Sequence, residues 1–316
     1  MARIPLSHLA LALLVVAIWG TNFVVIRIGL NHLPPLLFAG LRFALAALPA
    51  LGLVRRPPVG WGSLAAYGLL IGAGQFGLLF IAMDGHISPG LASLVVQMQV
   101  FFTIGLSVWW MGEGIRTFQL VALVVAASGI AVIAVNTDGT TTPLGLGLVL
   151  LAALSWAGGN VVAKASGARN LLPVVVWGSL FSFPPLLLMS LLVEGWPAIR
   201  TGLASAGAAT WGALLWQTIG NSLFGYAAWG WLLARHPAAS IVPAALLVPV
   251  FGLAASALWL GEPLPVWKVA STGLVIGGLG LGVLYPFWTS RRIAAQGGPG
   301  VDDPPGPGVG LGDLNH

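Results

Sequence analysis

LALALLVVAIWGTNFVVIRIGL, residues 9–30, reads as hydrocarbon with an amide set into it. Asn22 stands near the middle, Trp19 lies one turn earlier and Arg27 follows near the end. An amide buried in an apolar medium without a partner costs about 2–7 kcal/mol. Asn22 must therefore meet a polar group from another segment or face a cavity. The run does not alternate as barrel strands do, and it exceeds the roughly 20 apolar residues a membrane helix needs. No small-x-small cleavage pattern follows closely, so it reads as a retained helix and not as a removed leader.

The whole chain shares this character. Of 316 residues, 58% are hydrophobic and 7% carry charge, against roughly 25% charge in a soluble domain. The mean hydropathy is +0.96. Too few charges are available to cover a water-facing surface, so the solvent is lipid. Cysteine is absent, which excludes disulfides, thiolate catalysis and cysteine metal sites. A net charge of +5 is too sparse for a nucleic-acid surface.

Cutting at charges, prolines and polar clusters predicts ten spans, at about 6–29, 35–54, 63–83, 89–111, 117–135, 144–164, 173–193, 207–233, 238–260 and 266–287. With the N-terminus cytoplasmic, one side collects Arg3, Arg55, Arg56, Arg116, Lys164, Arg169, Arg235, Arg291 and Arg292. The other side holds only Arg27, Arg200 and Lys268, with the acids Asp84, Asp138, Glu194 and Glu262. This basic bias is the positive-inside pattern and places both termini in the cytoplasm. The tail from 289 to 316 is rich in Gly and Pro and is expected to be disordered.

The opening motif recurs. WGTNFVVIR at 19–27 matches WAGGNVVAK at 156–164, with Trp19 on Trp156 and Arg27 on Lys164, and Asn22 and Asn160 one place out of register. FG at 76–77 with Pro89 matches FG at 224–225 with Pro237, and WWMGE at 109–113 matches LWLGE at 258–262. The expected units are 1–135 and 144–287, five spans each. An odd span count inverts the second copy, and inverted repeats suit alternating access around a site at their interface.

The polar residues inside spans are the candidate lining. Trp19 and Asn22 share a face, as do Trp156 and Asn160, Gln217 and Asn221, and Ser93 and Gln97, while Gln75 belongs to the third span and Gln99 points elsewhere. Each amide could equally be a bond between helices. As a set, uncharged amides with aromatics suit a small zwitterion. Trp61, Trp109, Trp110, Trp196, Trp259, Trp267 and Trp288 fall at span ends as interface anchors, and Trp177, Trp216 and Trp229 read as core packing. Arg42 lies inside the second span, about 10 Å from its start, and snorkels outward, meets a substrate carboxylate or meets the carbonyl end of a helix. No acid stands clearly in mid-membrane. Protons are therefore a candidate coupling ion only through an edge group such as Asp84, Glu113 or His86, and uniport is equally open. Gly-rich 68–77 and 273–282 allow close helix approach, and Pro184, Pro185, Pro243 and Pro249 lie within spans.

WGTNFVVIRIGL (19–30), PPLLFAGLRF (34–43), GLASLVVQMQVFFTIGL (90–106), LSWAGGNVVAK (154–164) and PAALLVPVFGLAASALWLGE (243–262) resemble the EamA branch of the drug/metabolite transporter superfamily. Within it the likeness is strongest to bacterial exporters of O-acetylserine and cysteine, and it extends to about residue 287. The resemblance implies an all-α membrane protein of ten helices in two inverted five-helix repeats around a central cavity. It also implies a bacterial inner-membrane location and outward transport of small metabolites, with amino acids the expected class. It places Trp19, Asn22, Arg42, Gln75, Gln97, Asn160, Gln217 and Asn221 among the cavity candidates, and the repeat adds Trp156. The expected partners are the lipid bilayer and a small zwitterion, with the chain working as a monomer and without cofactor or metal. Competing readings are a drug or nucleotide-sugar carrier, a membrane enzyme and a non-transporting structural protein. A nucleotide sugar wants several basic groups and a cationic drug an acid. Enzymes acting in lipid want clustered carboxylates, which the scattered Asp and Glu do not supply.

Overall fold

The computed structural model describes residues 4–48, 50–112, 114, 116–136, 141–168 and 170–295. Glu113, Asp138, Arg169 and the tail from 296 lie outside these, as do the side chains of 50, 111, 238, 239 and 286–295. Every described regular element is a helix. Eight helical stretches are long and apolar enough to cross a bilayer, and Pro35–Ala47 is a shorter apolar helix.

In chain order these are α1 Leu6–Leu30, α2 Pro35–Ala47, α3 Trp61–Met83, α4 Pro89–Trp110, α5 Thr117–Val135, α6 Pro143–Ala165 and α7 Leu171–Met189. A shorter α8, Gly195–Ser205, continues the α7 stretch, and a less apolar helical stretch, α9, covers 208–235. The chain closes with α10 Val242–Leu260 and α11 Val266–Ala295. Proline opens α2, α4 and α6, where its missing N–H leaves no bond unmade. Thr142 and Asn170 cap α6 and α7 by accepting from the backbone N–H of Gly145 and Leu172.

Several boundaries differ from the sequence reading. The second span ends at Ala47 and not at 54, just ahead of Pro49, a residue type with no N–H to continue the helical bonding. The seventh ends at Met189, then makes a π-helical turn at Ser190–Glu194 before Gly195, with φ +80°, redirects the chain into α8. The last helix runs past 289 to Ala295.

Two further π-helical segments lie inside α3, at Leu69–Gly77, and inside α9, at Trp216–Phe224. They occupy the places marked by the two FG pairs. The GE motifs also repeat in geometry. Gly112 and Gly261 take left-handed φ of 67° and 66°, and their N–H groups return to the carbonyls of Ser107 and Ser256. Glycine fits both caps because that φ is strained for other residues.

α5 packs along α11, α2 against α7, and α4 against α10. α1 lies against α9 and α10, while α6 lies against α3 and α4. Two expected loop acids instead fasten helix ends. Glu194 accepts from the N–H of Leu36 and Leu37 at 2.6 and 3.2 Å and from Ser190 Oγ at 2.6 Å, placing a negative charge at the positive end of α2. Glu262 accepts from Ser88, Ser256, the N–H of Gly90 at 3.2 Å and Lys268 Nζ at 3.0 Å. Lys268 is fully buried, so it is not a solvated loop charge.

Candidate functional site

A cavity of about 300 Å³ sits where α1, α3, α4, α6, α9 and the start of α10 converge. Seven of the nine sequence candidates line it: Trp19, Asn22, Gln75, Gln97, Trp156, Asn160 and Asn221. Helical spacing explains the set. Trp19 and Asn22 present one face of α1, and Trp156 and Asn160 one face of α6.

Asn22 finds a side-chain partner. It is buried, and its Oδ1 accepts from Gln217 Nε2 at 2.7 Å. Gln217 is wholly buried behind Asn22 and does not line the cavity, so it braces the wall from outside. Asn160 donates to Gln99 Oε1 at 2.9 Å and reaches Thr103 Oγ1 at 3.4 Å. The two repeated asparagines thus bond different helices. Their one-residue offset turns the amide by about 100° around the helix axis. Trp19 Nε1 donates to the Asn221 carbonyl at 3.3 Å, tying α1 to the π-helical part of α9.

Arg42 is the other candidate outside the lining. It does not snorkel: it is 1% exposed, its Nη2 donates to Ser222 Oγ at 3.0 Å, and its guanidinium lies over the Phe76 ring at 3.8 Å. Phe76 itself lines the cavity. Sequence spacing set Gln99 apart from Ser93 and Gln97, yet Gln99 lines the cavity beside Gln97. The chain tightens to a 3-10 turn at Val96–Met98, so the 3.6-residue period does not carry across it. Tyr67, Tyr226 and Trp229 are further lining residues that the repeat did not mark, and Phe76, which it marked in the FG pair but not as lining, joins them. Trp216 is 41% exposed and so is not core packing.

Among the described residues no Asp, Glu, Lys or Arg lines this cavity. Oε1 of Gln75, which belongs to the lining, has no partner among them. A second cavity of about 360 Å³ shares Asn160, Ala163, Leu171, Tyr226 and Trp229 with the first and continues to Lys164, Gly230, Leu233 and Ala234. The two cavities meet at these shared residues, and the second reaches Lys164 and Ala234.

A family model described as EamA-like transporter family matches residues 6–135 and again 143–284. The chain belongs to the EamA-like transporter family. It is 43% identical to a probable amino-acid metabolite efflux pump of Salmonella typhimurium, over 91% of this chain and 98% of that protein. It is 39% identical to a protein so described in Escherichia coli, over 88% and 95%. A probable terminal-alkyne amino-acid exporter of Streptantibioticus cattleyicolor is 29% identical over 84% and 90%. One solved crystal structure shares the fold with a TM-score of 0.60 at 19% identity, covering 92% of this chain and 99% of that one. This EamA-family chain is therefore a multi-span membrane transporter, and the cavity is its candidate substrate site.

Proposed function

We propose that the protein exports amino acids or closely similar small zwitterions across the bacterial inner membrane by alternating access. The observation that carries the reading is an uncharged cavity walled by amides and aromatics, built from both halves of the chain. Its volume lies at the small end of ligand pockets, which suits a metabolite, and its lining offers no basic group for the phosphates of a nucleotide sugar. A zwitterion carries no net charge and asks for paired donors and acceptors, which Asn22, Gln75, Gln97, Gln99, Asn160 and Asn221 can offer. The names of the efflux relatives point to the same cargo and direction.

The ten spans are α1–α7, α9, α10 and α11, in inverted units of 1–135 and 144–287, with 289–316 as a cytoplasmic tail. The packing supports this. Exchanging the halves carries the α1–α10 contact onto α6–α4 and the α1–α9 contact onto α6–α3, while α2–α7 and α5–α11 map onto themselves. The twofold family match and the matched π-helical segments and GE caps agree with it. On the positive-inside orientation, with both termini cytoplasmic, the path past Lys164 and Ala234 opens to the cytoplasm, so this state would load cargo from within. Uniport needs no further group. Proton coupling would need an acid that the described cavity lining does not include.

Purified protein in liposomes loaded with an equimolar mixture of the twenty L-amino acids should release a subset faster than empty liposomes. Equal release of all twenty from both would end the exporter reading in favour of another cargo or a structural role.

A further inference from the structure

Arg42 is a buried cation with unspent donors. It sits in α2 among the largest fully buried side chains. Only Nη2 is matched, by Ser222 Oγ at 3.0 Å, while Nε and Nη1 have no acceptor among the described residues. Buried charges in membrane helices are costly and tend to sit where function needs them. What covers this one is a ring. The guanidinium carbon lies 3.8 Å from the Phe76 centroid and 5.0 Å from that of Phe43. Phe76 also lines the cavity, so the ring that covers the guanidinium is itself part of the wall facing the space where cargo would lie.

The wall around this ring includes two π-helical segments. Phe76 and the neighbouring Gln75 belong to the π-helical segment Leu69–Gly77, and Ser222 to its counterpart Trp216–Phe224. Such widened turns are frequent at functional sites, because their backbone bonds can be re-partnered with small shifts. Gln75 Oε1 is a second unpartnered polar atom, on the same segment and in the cavity lining.

We propose that Arg42 is a carboxylate-binding subsite shuttered by Phe76: the ring covers the guanidinium in this state, and its displacement opens a charged anchor for the carboxylate of an amino-acid cargo. The anchor rests on the exporter reading for its cargo, and on the Arg42–Phe76 geometry for its existence. Attraction to the ring face stabilises the covered cation without an anion. A planar guanidinium has two edges that match a carboxylate in two parallel bonds, Nε with Nη2 and Nη1 with Nη2, and Ser222 takes only one of the two Nη2 hydrogens, so one edge stays open. Arriving cargo would exchange the ring for the carboxylate, so the anchor would form only after entry, and the same cavity would still release uncharged from an empty state.

The test uses the full chain in liposomes and two readouts. The first is modification of Arg42 by phenylglyoxal, mapped by mass spectrometry. Arg42 should react slowly in the unaltered chain and on the order of tenfold faster in Phe76→Ala, as expected when a minor open state becomes the main one. Excess L-leucine should slow the faster reaction, and L-leucinol, which lacks the carboxylate, should not. Phe76→Leu serves if the alanine variant is poorly made. The second readout is inhibition of efflux from the amino-acid mixture by L-leucine and by L-leucinol. The unaltered chain should favour L-leucine, and Arg42→Lys and Arg42→Met should lose that preference. Equal labelling of Arg42 with and without the ring, or a preference that survives Arg42→Met, would overturn the subsite. Labelling needs no transport. Fast, L-leucine-protected labelling with no efflux would therefore sink the exporter reading and leave the subsite standing, whereas efflux with equally slow labelling would do the reverse.

Discussion

Gln217 Nε2 donates to Asn22 Oδ1 at 2.7 Å, across the contact between α1 and α9, with both side chains buried. This bond answers how an amide can sit in the apolar run 9–30. Asn22 presents its edge to the cavity while Gln217 holds it from behind. Replacing Asn22 by Leu strands the Gln217 amide, and a stranded buried donor costs about 1–3 kcal/mol. Asn22→Leu should therefore lower the thermal midpoint in detergent more than the double variant with Gln217→Leu does. A loss in the double variant equal to the sum of the losses in Asn22→Leu and Gln217→Leu alone would mean that the pair contributes no coupling.

Asn160 separates lining from bracing more cleanly. Its Nδ2 bonds Gln99 Oε1 at 2.9 Å, and both side chains line the cavity. The bond joins α6 to α4 and is worth about 0.6–2 kcal/mol in a membrane, too little to unfold the bundle. Asn160→Ala should keep membrane yield and lower efflux per molecule severalfold. Trp61→Ala is the contrast. Trp61 is 49% exposed beneath Arg56, away from the cavity, so its loss should reduce membrane anchoring and spare the rate. Normal efflux in Asn160→Ala would return that residue to a purely structural role.

Glu262 gathers α4, α10 and α11 at one end of the bundle through Ser88, Gly90, Ser256 and Lys268. Glu262→Gln keeps the shape and removes the charge opposite a fully buried ammonium. Breaking one side of a buried pair costs about 3 kcal/mol or more. The variant should show a markedly lower thermal midpoint and reduced yield. Replacing both partners, Glu262→Leu with Lys268→Met, should recover part of the loss. A variant Glu262→Gln as stable as the unaltered chain would show that the hydroxyl and N–H contacts suffice.

Periodicity and hydropathy made most of the fold legible before any coordinates. Apolar runs located the helices because lipid demands about 20 residues of them. One end failed where local chemistry took over, at α2, which stops at Ala47 ahead of Pro49 and not at 54. At the site, the Trp19–Asn22 and Trp156–Asn160 faces were readable because α-helical spacing holds there. Gln99 was misplaced because the Val96–Met98 turn breaks the helical period. Gln217 and Arg42 were read as lining because polarity alone does not distinguish a residue facing a cavity from one bracing its wall. Tyr226 carried no sequence mark and Phe76 was marked only as part of the FG repeat, since an aromatic in an apolar run looks the same in lipid, core or cavity.

Close approach between α3 and α7 makes another test. A Cβ at Gly68 would stand 2.1 Å from the Gly178 carbonyl oxygen, whereas one at Gly147 would meet nothing within 4 Å. The first clash is with backbone, so one of the helices must move, at a cost of about 1–3 kcal/mol. The second adds only helix propensity, roughly 1 kcal/mol in favour of alanine. Gly68→Ala should lower the thermal midpoint and Gly147→Ala should hold or raise it. Matching midpoints would mean that the α3–α7 contact yields without cost.

The proposed cytoplasmic opening of the cavity can be tested by its accessibility from each side of the membrane. Gly230 lines the second cavity together with Lys164 and Ala234, and a side chain added there has room, with Asn170 Oδ1 the nearest atom at 3.9 Å. The chain has no cysteine, so a single Gly230→Cys gives a clean probe. Arg55→Cys and Ser205→Cys, both at exposed positions, mark the two faces, the first cytoplasmic and the second external on the basic-residue bias. An impermeant thiol reagent should reach Cys at 230 and at 55 in inside-out vesicles and Cys at 205 in intact cells. Bound cargo should slow the reaction at 230 alone, because only that position looks into the path. Reaction at 230 from intact cells, with 55 still silent there, would reverse the assigned opening and make this the state that releases cargo outward.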